Sequence, residues 1–155
     1  MPAPSPRLLE TEDLEGLIEQ ALMAYEPVRS SHVPIRMDVD HSGNVQLQGW
    51  VRSRVIKDSI GNIVRGVPGV AALDLPLVVD AELEIRVARA LATSPATESL
   101  APGSVLLRAY FGTMRLIGSV PTQPLKDSVA QVAAEVDGVR RVENELKVVQ
   151  GVGKK

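Results

Sequence analysis

Apolar positions recur at helical spacing near the start of the chain, where Leu14, Leu17, Ile18, Ala21, Leu22 and Tyr25 line one stripe. The spacing then shortens to two. Val45, Leu47, Gly49 and Val51 fall on one face of a predicted strand, with Gln46, Gln48, Trp50 and Arg52 on the other. Helical spacing returns with Ile56, Ile60, Ile63, Val64 and Val67, and a last alternating run holds Leu73, Leu75, Leu77 and Val79. The same succession then repeats, through Leu83, Val87, Ala90 and Leu91, Met114, Leu116, Gly118 and Val120, Leu125, Val129, Val132, Ala133 and Val136, and finally Val142, Asn144, Leu146 and Val148. Glu12, Asp13 and Glu15 in one copy, and Glu82 and Glu84 in the other, suit the positive end of a first helix, with Thr11 and Asp80 the expected N-caps. Each first helix should run out near a proline, Pro27 or Pro95. Loops over 26–34 and 95–103 follow, then hairpins turning at Gly43 and Gly112.

Sliding the chain along itself by 69 residues superimposes 14–79 on 83–148 without a gap. Gly49-Trp-Val meets Gly118-Ser-Val, Lys57-Asp-Ser-Ile meets Lys126-Asp-Ser-Val, and Val67-Pro-Gly-Val meets Val136-Asp-Gly-Val. Three matches in one register indicate a duplicated structural unit. The expected fold class is α+β: two tandem αββαβ units, each a three-stranded mixed sheet with two helices on one face. The units are expected over 12–80 and 81–150, between a flexible lead-in at 1–11 and a flexible tail at 151–155, with only Asp80 and Ala81 as a link. Gly49, Gly69, Gly118 and Gly138 fall at matching positions and are expected to be structural. If the ungapped register holds through the second hairpin, Val105, Leu107, Ala109, Phe111 and Ile117 lie on that unit's open sheet face. A bulge there would turn Val105 and Leu107 into the core instead.

Composition narrows the possibilities. The chain is 45% hydrophobic but only 3% aromatic, so the cores must be aliphatic, and the single tryptophan, Trp50, calls for a specific explanation. Residues 1–80 carry seven basic and eleven acidic groups, and residues 81–155 carry ten and eight. Neither half has the dense basic face that neutralises many phosphates, which argues against nucleic acid as a partner. The absence of cysteine excludes disulfides, thiolate metal sites and cysteine nucleophiles. No run of about 18 apolar residues is present, so no transmembrane segment is expected. The opening Met1-Pro-Ala-Pro-Ser-Pro-Arg-Leu-Leu-Glu lacks a signal's apolar region. The chain as written is therefore expected in the cytoplasm, or in the periplasm or envelope if a signal has been removed.

The second copy's Met114-Arg-Leu-Ile-Gly-Ser-Val strand, its amphipathic helix and its Gly138-Val-Arg-Arg-Val-Glu-Asn-Glu-Leu-Lys-Val ending resemble the bacterial BON domain, the OsmY and nodulation domain family. The first copy is similar through Asn44-Val-Gln-Leu-Gln-Gly-Trp-Val. Its ending departs from the pattern, with Leu75 where the family has Asn and with an added Pro76. Pro76 cannot donate to a sheet ladder, so this strand is expected at an edge. The resemblance implies a small αββαβ fold found in envelope-associated, lipid-binding or stress-related proteins, without catalytic residues or a cofactor.

Asp38-Val-Asp40-His-Ser42-Gly43-Asn44 has the alternating oxygens of a calcium loop but lacks the closing carboxylate, Gly49 standing in its place, and is expected to be a hairpin turn with no metal. His32 and His41 are the only histidines, and no triad or two-histidine metal spacing can be built on them. Trp50 falls on the face turned away from the helices, with Arg52 and Arg54 close by in sequence. These three, with Phe111 and Ile117, are the candidate partner- or lipid-binding residues. The expected function is non-enzymatic binding or scaffolding, engaging a protein partner, a second copy or anionic phospholipid through sheet or helix surfaces. The alternative is a cytoplasmic sensor of a small ligand or an ion such as potassium.

Overall fold

The computed structural model describes residues 11–30 and 35–149, so the expected lead-in, the tail and His32 lie outside the described residues, apart from Thr11 itself. The chain divides into two compact units, the first ending at Leu77 and the second beginning at Val78.

In the first unit, α1 (Thr11–Met23) buries the stripe of Leu14, Ile18 and Leu22. Thr11 opens this helix from inside its first turn instead of preceding it as a cap. The expected loop after it contains one helical turn, α2 (Glu26–Arg29), with Pro27 in the first-turn position that tolerates a missing N–H and an ion pair between Glu26 and Arg29. Then come β1 (Arg36–Val39), β2 (Asn44–Val51), α3 (Arg54–Arg65), β3 (Ala72–Asp74) and β4 (Leu77–Val79). β2 is central, antiparallel to β1 and parallel to β3, and β4 pairs with β2 as well. β3 and β4 thus share the work of one strand, broken at Pro76. Leu77 N donates to Leu75 O at 2.7 Å across the proline, a three-residue turn that replaces a ladder bond Pro76 could not make.

The second unit repeats the plan with α4 (Asp80–Thr93), β5 (Val105–Tyr110), β6 (Thr113–Val120), α5 (Gln123–Ala134) and β7 (Arg141–Val148). β6 is central, antiparallel to β5 and parallel to an unbroken β7. Leu83, Val87, Met114, Leu116 and Val129 are fully buried. Both second helices start on an N-cap hydroxyl at equivalent positions: Ser53 Oγ accepts from Ile56 N, and Thr122 Oγ1 accepts from Leu125 N, each at 3.2 Å. Both end earlier than the Gly-Val pairs. The glycines of those pairs sit in the turns that follow, each with φ 101°.

The second hairpin corrects the ungapped register. Val39 pairs with Val45 in the first unit, and Ala109 with Met114 in the second, so the second connection is one residue shorter. A shift of one residue exchanges the faces of a strand. Val105, Leu107 and Ala109 consequently pack against the core, and Leu106, Arg108 and Tyr110 take the open face. Phe111 is not on that face either: it is 7% exposed and sits in the turn. Its φ of 49° and the 84° of Gly112 give the pattern of a type I′ turn, in which a bulky first residue is unusual.

Asp80 holds that turn in place. Expected as an N-cap, it is instead the first residue of α4, behind Val79. Its carboxylate is 2% exposed and accepts from Phe111 N at 2.7 Å and Gly112 N at 3.0 Å. One helical turn on, Glu84 accepts from Ala109 N at 2.8 Å. Two carboxylates spaced i, i+4 on α4 thereby satisfy three N–H groups of the hairpin.

Candidate functional site

The sheets place chemistry on their open faces because helices cover only the other side. On the first sheet, alternation sends Val45, Leu47 and Val51 into the core and leaves Gln46, Gln48 and Trp50 half-buried on the open side. Gln46 is opposite Asp38 on β1 and Asp74 on β3. Its amide donates to Asp74 Oδ2, and that of Gln48 donates to Gln46 Oε1, both at 3.1 Å. At the end of β2 the chain passes from Trp50 through exposed Arg52 to exposed Arg54 in the first turn of α3. There Val55 is 72% exposed. The structure therefore brings Trp50, Arg52 and Arg54 to one end of the first sheet, with an apolar residue that sequence spacing had not singled out.

The loop that resembles a calcium loop folds as a hairpin turn held by Asp40. Asp40 Oδ1 accepts from Ser42 N and Asn44 N, each at 2.9 Å, and Oδ2 accepts from Asn44 Nδ2 at 2.8 Å. These bonds, the Asn44 side chain foremost, hold its carboxyl below the usual carboxylate range. Both oxygens help shape the turn, in which His41 is exposed. Asp38 belongs to the open face, 3.7 Å from Arg36.

On the second sheet, Ile117 is half-buried on the open side opposite exposed Leu106. Arg115 binds both oxygens of Glu145, at 2.8 and 2.9 Å, and Arg141 binds Glu143 at 3.1 Å. The Arg115 bond keeps the Glu145 carboxyl below its ordinary range and raises the guanidinium. Of the expected site residues, Ile117 lies on the open face of the second sheet, Phe111 in that unit's hairpin turn, and Trp50, Arg52 and Arg54 in the first unit. Arg108, Leu106 and Tyr110 were missed. The signal was available, since the ungapped register would have buried the charge of Arg108.

Of the matching glycines, Gly118 has the most direct physical reason. Its φ is 138°, and a Cβ there would come within 2.0 Å of Ser104 O. Each unit also holds an open cavity between its first helix and its edge strand. The first, of about 490 Å³, is lined by Leu22, Met23, Val28 and Met37 among others. The second, of about 310 Å³, has Leu91, Thr97, Leu100 and Leu107 in its lining. Among the described residues, no three or more acidic or histidine side chains are gathered as a metal site would need, and no helix is long and apolar enough to cross a membrane.

An αββαβ unit built twice, with glycines fixing the central strand and the turn before the last strand, defines a family. The BON domain model matches the chain over residues 11–81 and again over 79–150, and the chain belongs to the BON domain family as two domains in tandem. It is similar to Osmotically-inducible protein Y of Escherichia coli (strain K12), 26% identical over 150 residues that cover 90% of this chain and 73% of that protein. It is also similar to the solved structure of CdsD, a structural protein of the type III secretion system of Chlamydia trachomatis, with a TM-score of 0.69 at 15% identity. That match covers 89% of this chain, which spans 64% of the CdsD chain, and at this identity it shows the fold alone. The family and the similarity to Osmotically-inducible protein Y point to a non-catalytic protein.

Proposed function

We propose that this chain is a non-enzymatic, stress- or envelope-related binding protein, with domains at 12–80 and 81–150, whose first domain docks on anionic phospholipid through the corner formed by Trp50, Arg52, Arg54 and Val55. One observation carries the reading: a half-buried indole, two exposed arginines and a 72% exposed valine share one end of the first sheet. An aromatic ring with an apolar neighbour suits the boundary between headgroup and acyl chain, and guanidiniums suit the phosphates. The second domain has Ser119, Pro121, Gln123 and Pro124 at the equivalent positions, so the corner is a property of the first alone. The name of the osmotically inducible relative supports a role in osmotic stress.

Each basic residue near an anionic surface contributes about 1 kcal/mol. Arg52 and Arg54 together then favour anionic over neutral vesicles by about 2 kcal/mol, or roughly 30-fold. Trp50 is the only tryptophan, so its emission reports the corner directly. Titration with vesicles of phosphatidylcholine, with and without phosphatidylglycerol, is expected to shift that emission to the blue only with the anionic lipid. The shift should disappear in high salt and in Arg52→Glu/Arg54→Glu. An emission that ignores both vesicle types, or a shift that survives the double substitution, overturns the reading.

A further inference from the structure

The two open sheet faces differ in charge. On the first, Asp38, Gln46 and Asp74 form one row across three strands, with both carboxylates exposed. Asp74 is bonded by the neutral Gln46 amide, and among the described residues only Asp38 of the two carboxylates has a cation beside it, Arg36 at 3.7 Å. On the second, Arg108 stands directly opposite Arg115. Two guanidiniums so placed repel. The fold relieves only one of them, because Glu145 binds Arg115 whereas Arg108 has no acidic partner among the described residues. The flanking side chains on the same face, Leu106 and Tyr110, are 48% and 61% exposed. Tyr110 has a neighbour in Phe111, edge-on at 4.7 Å, so what this face lacks is a counter-charge for Arg108 and a cover for Leu106.

We infer that this face of the second domain receives the Asp38–Asp74 row of the first domain's sheet from a second copy of the chain, head to tail. Like faces would set Arg108 against Arg108 or carboxylate against carboxylate, whereas unlike faces bring opposite charges together. A contact between two different faces leaves one of each unused, so it extends into chains or closes into rings. The second sheet's strands, 6, 8 and 8 residues long and about 4.8 Å apart, make a face of about 350 Å², and the first sheet's face, with its shorter edge strands, is smaller. Stable interfaces bury about 800 Å² per partner, so the association is weak and belongs to concentrations on the order of 100 µM. Trp50 lies on the same open face, four residues along β2 from Gln46, but none of the substitutions that test this contact alters the Trp50–Val55 corner, so its failure and a failure of lipid binding are told apart.

Sedimentation velocity of the full chain over a concentration series tests it. The average mass is expected to rise with concentration past that of a dimer and to fall to the monomer's in high salt, which screens the charges. Arg108→Ser and Asp38→Ser/Asp74→Ser should each stay monomeric with an unchanged melting temperature, because the positions are exposed. An equimolar mixture of the two variants should form dimers and nothing larger, since it retains one intact face of each kind per pair. A wild-type chain that is monomeric throughout, self-association of the Asp38→Ser/Asp74→Ser variant alone, or a mixture that stays monomeric each overturns the inference.

Discussion

The two hairpins solve one geometrical problem with different chemistry. Gly43 and Gly112 hold almost the same backbone angle, φ 83° and 84°, and each carbonyl accepts at 2.8 Å from the residue that leads into the last strand, Ala71 N or Arg140 N. In the first domain the turn is held from within, by Asp40 bonding Ser42 and Asn44. In the second it is held from outside, by Asp80 reaching across from α4. The last strands differ in the same way. Asn144 ties β7 to the carbonyl of Lys126 on α5, where the first domain reverses the direction and Lys57 Nζ donates to Leu77 O at 3.1 Å. What duplication preserved is the position of the constraint. The residues meeting it were free to drift, so differences between the copies in the core and turns say little about function, and differences on the open faces say more.

Substituting the shared core gives the largest expected effect and tests whether the copies are equivalent. Ile60 and Val129 are both 0% exposed at matching positions on α3 and α5. Ile60→Asp and Val129→Asp should each cost about 3–5 kcal/mol by burying an unpaired charge. Denaturant unfolding followed by amide spectra should show each variant losing its own domain first. Equal stability of either variant and the wild type would mean that the helix has another face inward.

Asp80→Ala sharpens the contrast between the turns. It strips two N–H groups of a charged acceptor at a buried site and leaves Phe111 in the left-handed region without its restraint, at an expected cost of about 3 kcal/mol. Hydrogen exchange at Phe111 and Gly112 should accelerate more than at the rest of β5 and β6. Unchanged protection there would show that burial of the Phe111 ring alone sustains the turn.

How far the sequence reveals this arrangement depends on whether a feature is periodic. Alternation along 44–51 and 141–148 assigns both faces correctly, because each side chain's direction follows from its neighbours. Along β5 the apolar run Val105, Leu106 and Leu107 hides the alternation, so its face is legible only from the charge of Arg108, which belongs outside the core, and the structural cause is a turn one residue shorter than its counterpart. Asp80 is legible as a helix-start residue, but an acid there is generic, and its reach to residues 31 and 32 positions away is a tertiary fact. The corner at Trp50 was half legible. Alternation placed the ring, but the exposure of Val55 in the first turn of a helix beginning at Arg54 is visible only in the structure.

The smallest effect comes from acid acting on the internally held turn. Hydrogen bonds from Asn44 hold the Asp40 carboxyl below its ordinary value, so the folded state binds that proton less readily than the unfolded chain does. Its contribution is accordingly complete above the usual carboxylate pKa and is lost as pH falls through the lowered folded value. The stability gap between wild type and Asp40→Ala should be constant near neutrality and narrow only below about pH 4, where the unfolded chain begins to take up the proton. Because Asp40 is exposed, the gap itself should be smaller than that of Asp80→Ala. Denaturant midpoints of the two proteins, measured down the acid range, provide the check. A gap that persisted undiminished to the lowest pH would mean that the turn depends on the shape of the Asp40 side chain and owes nothing to its charge.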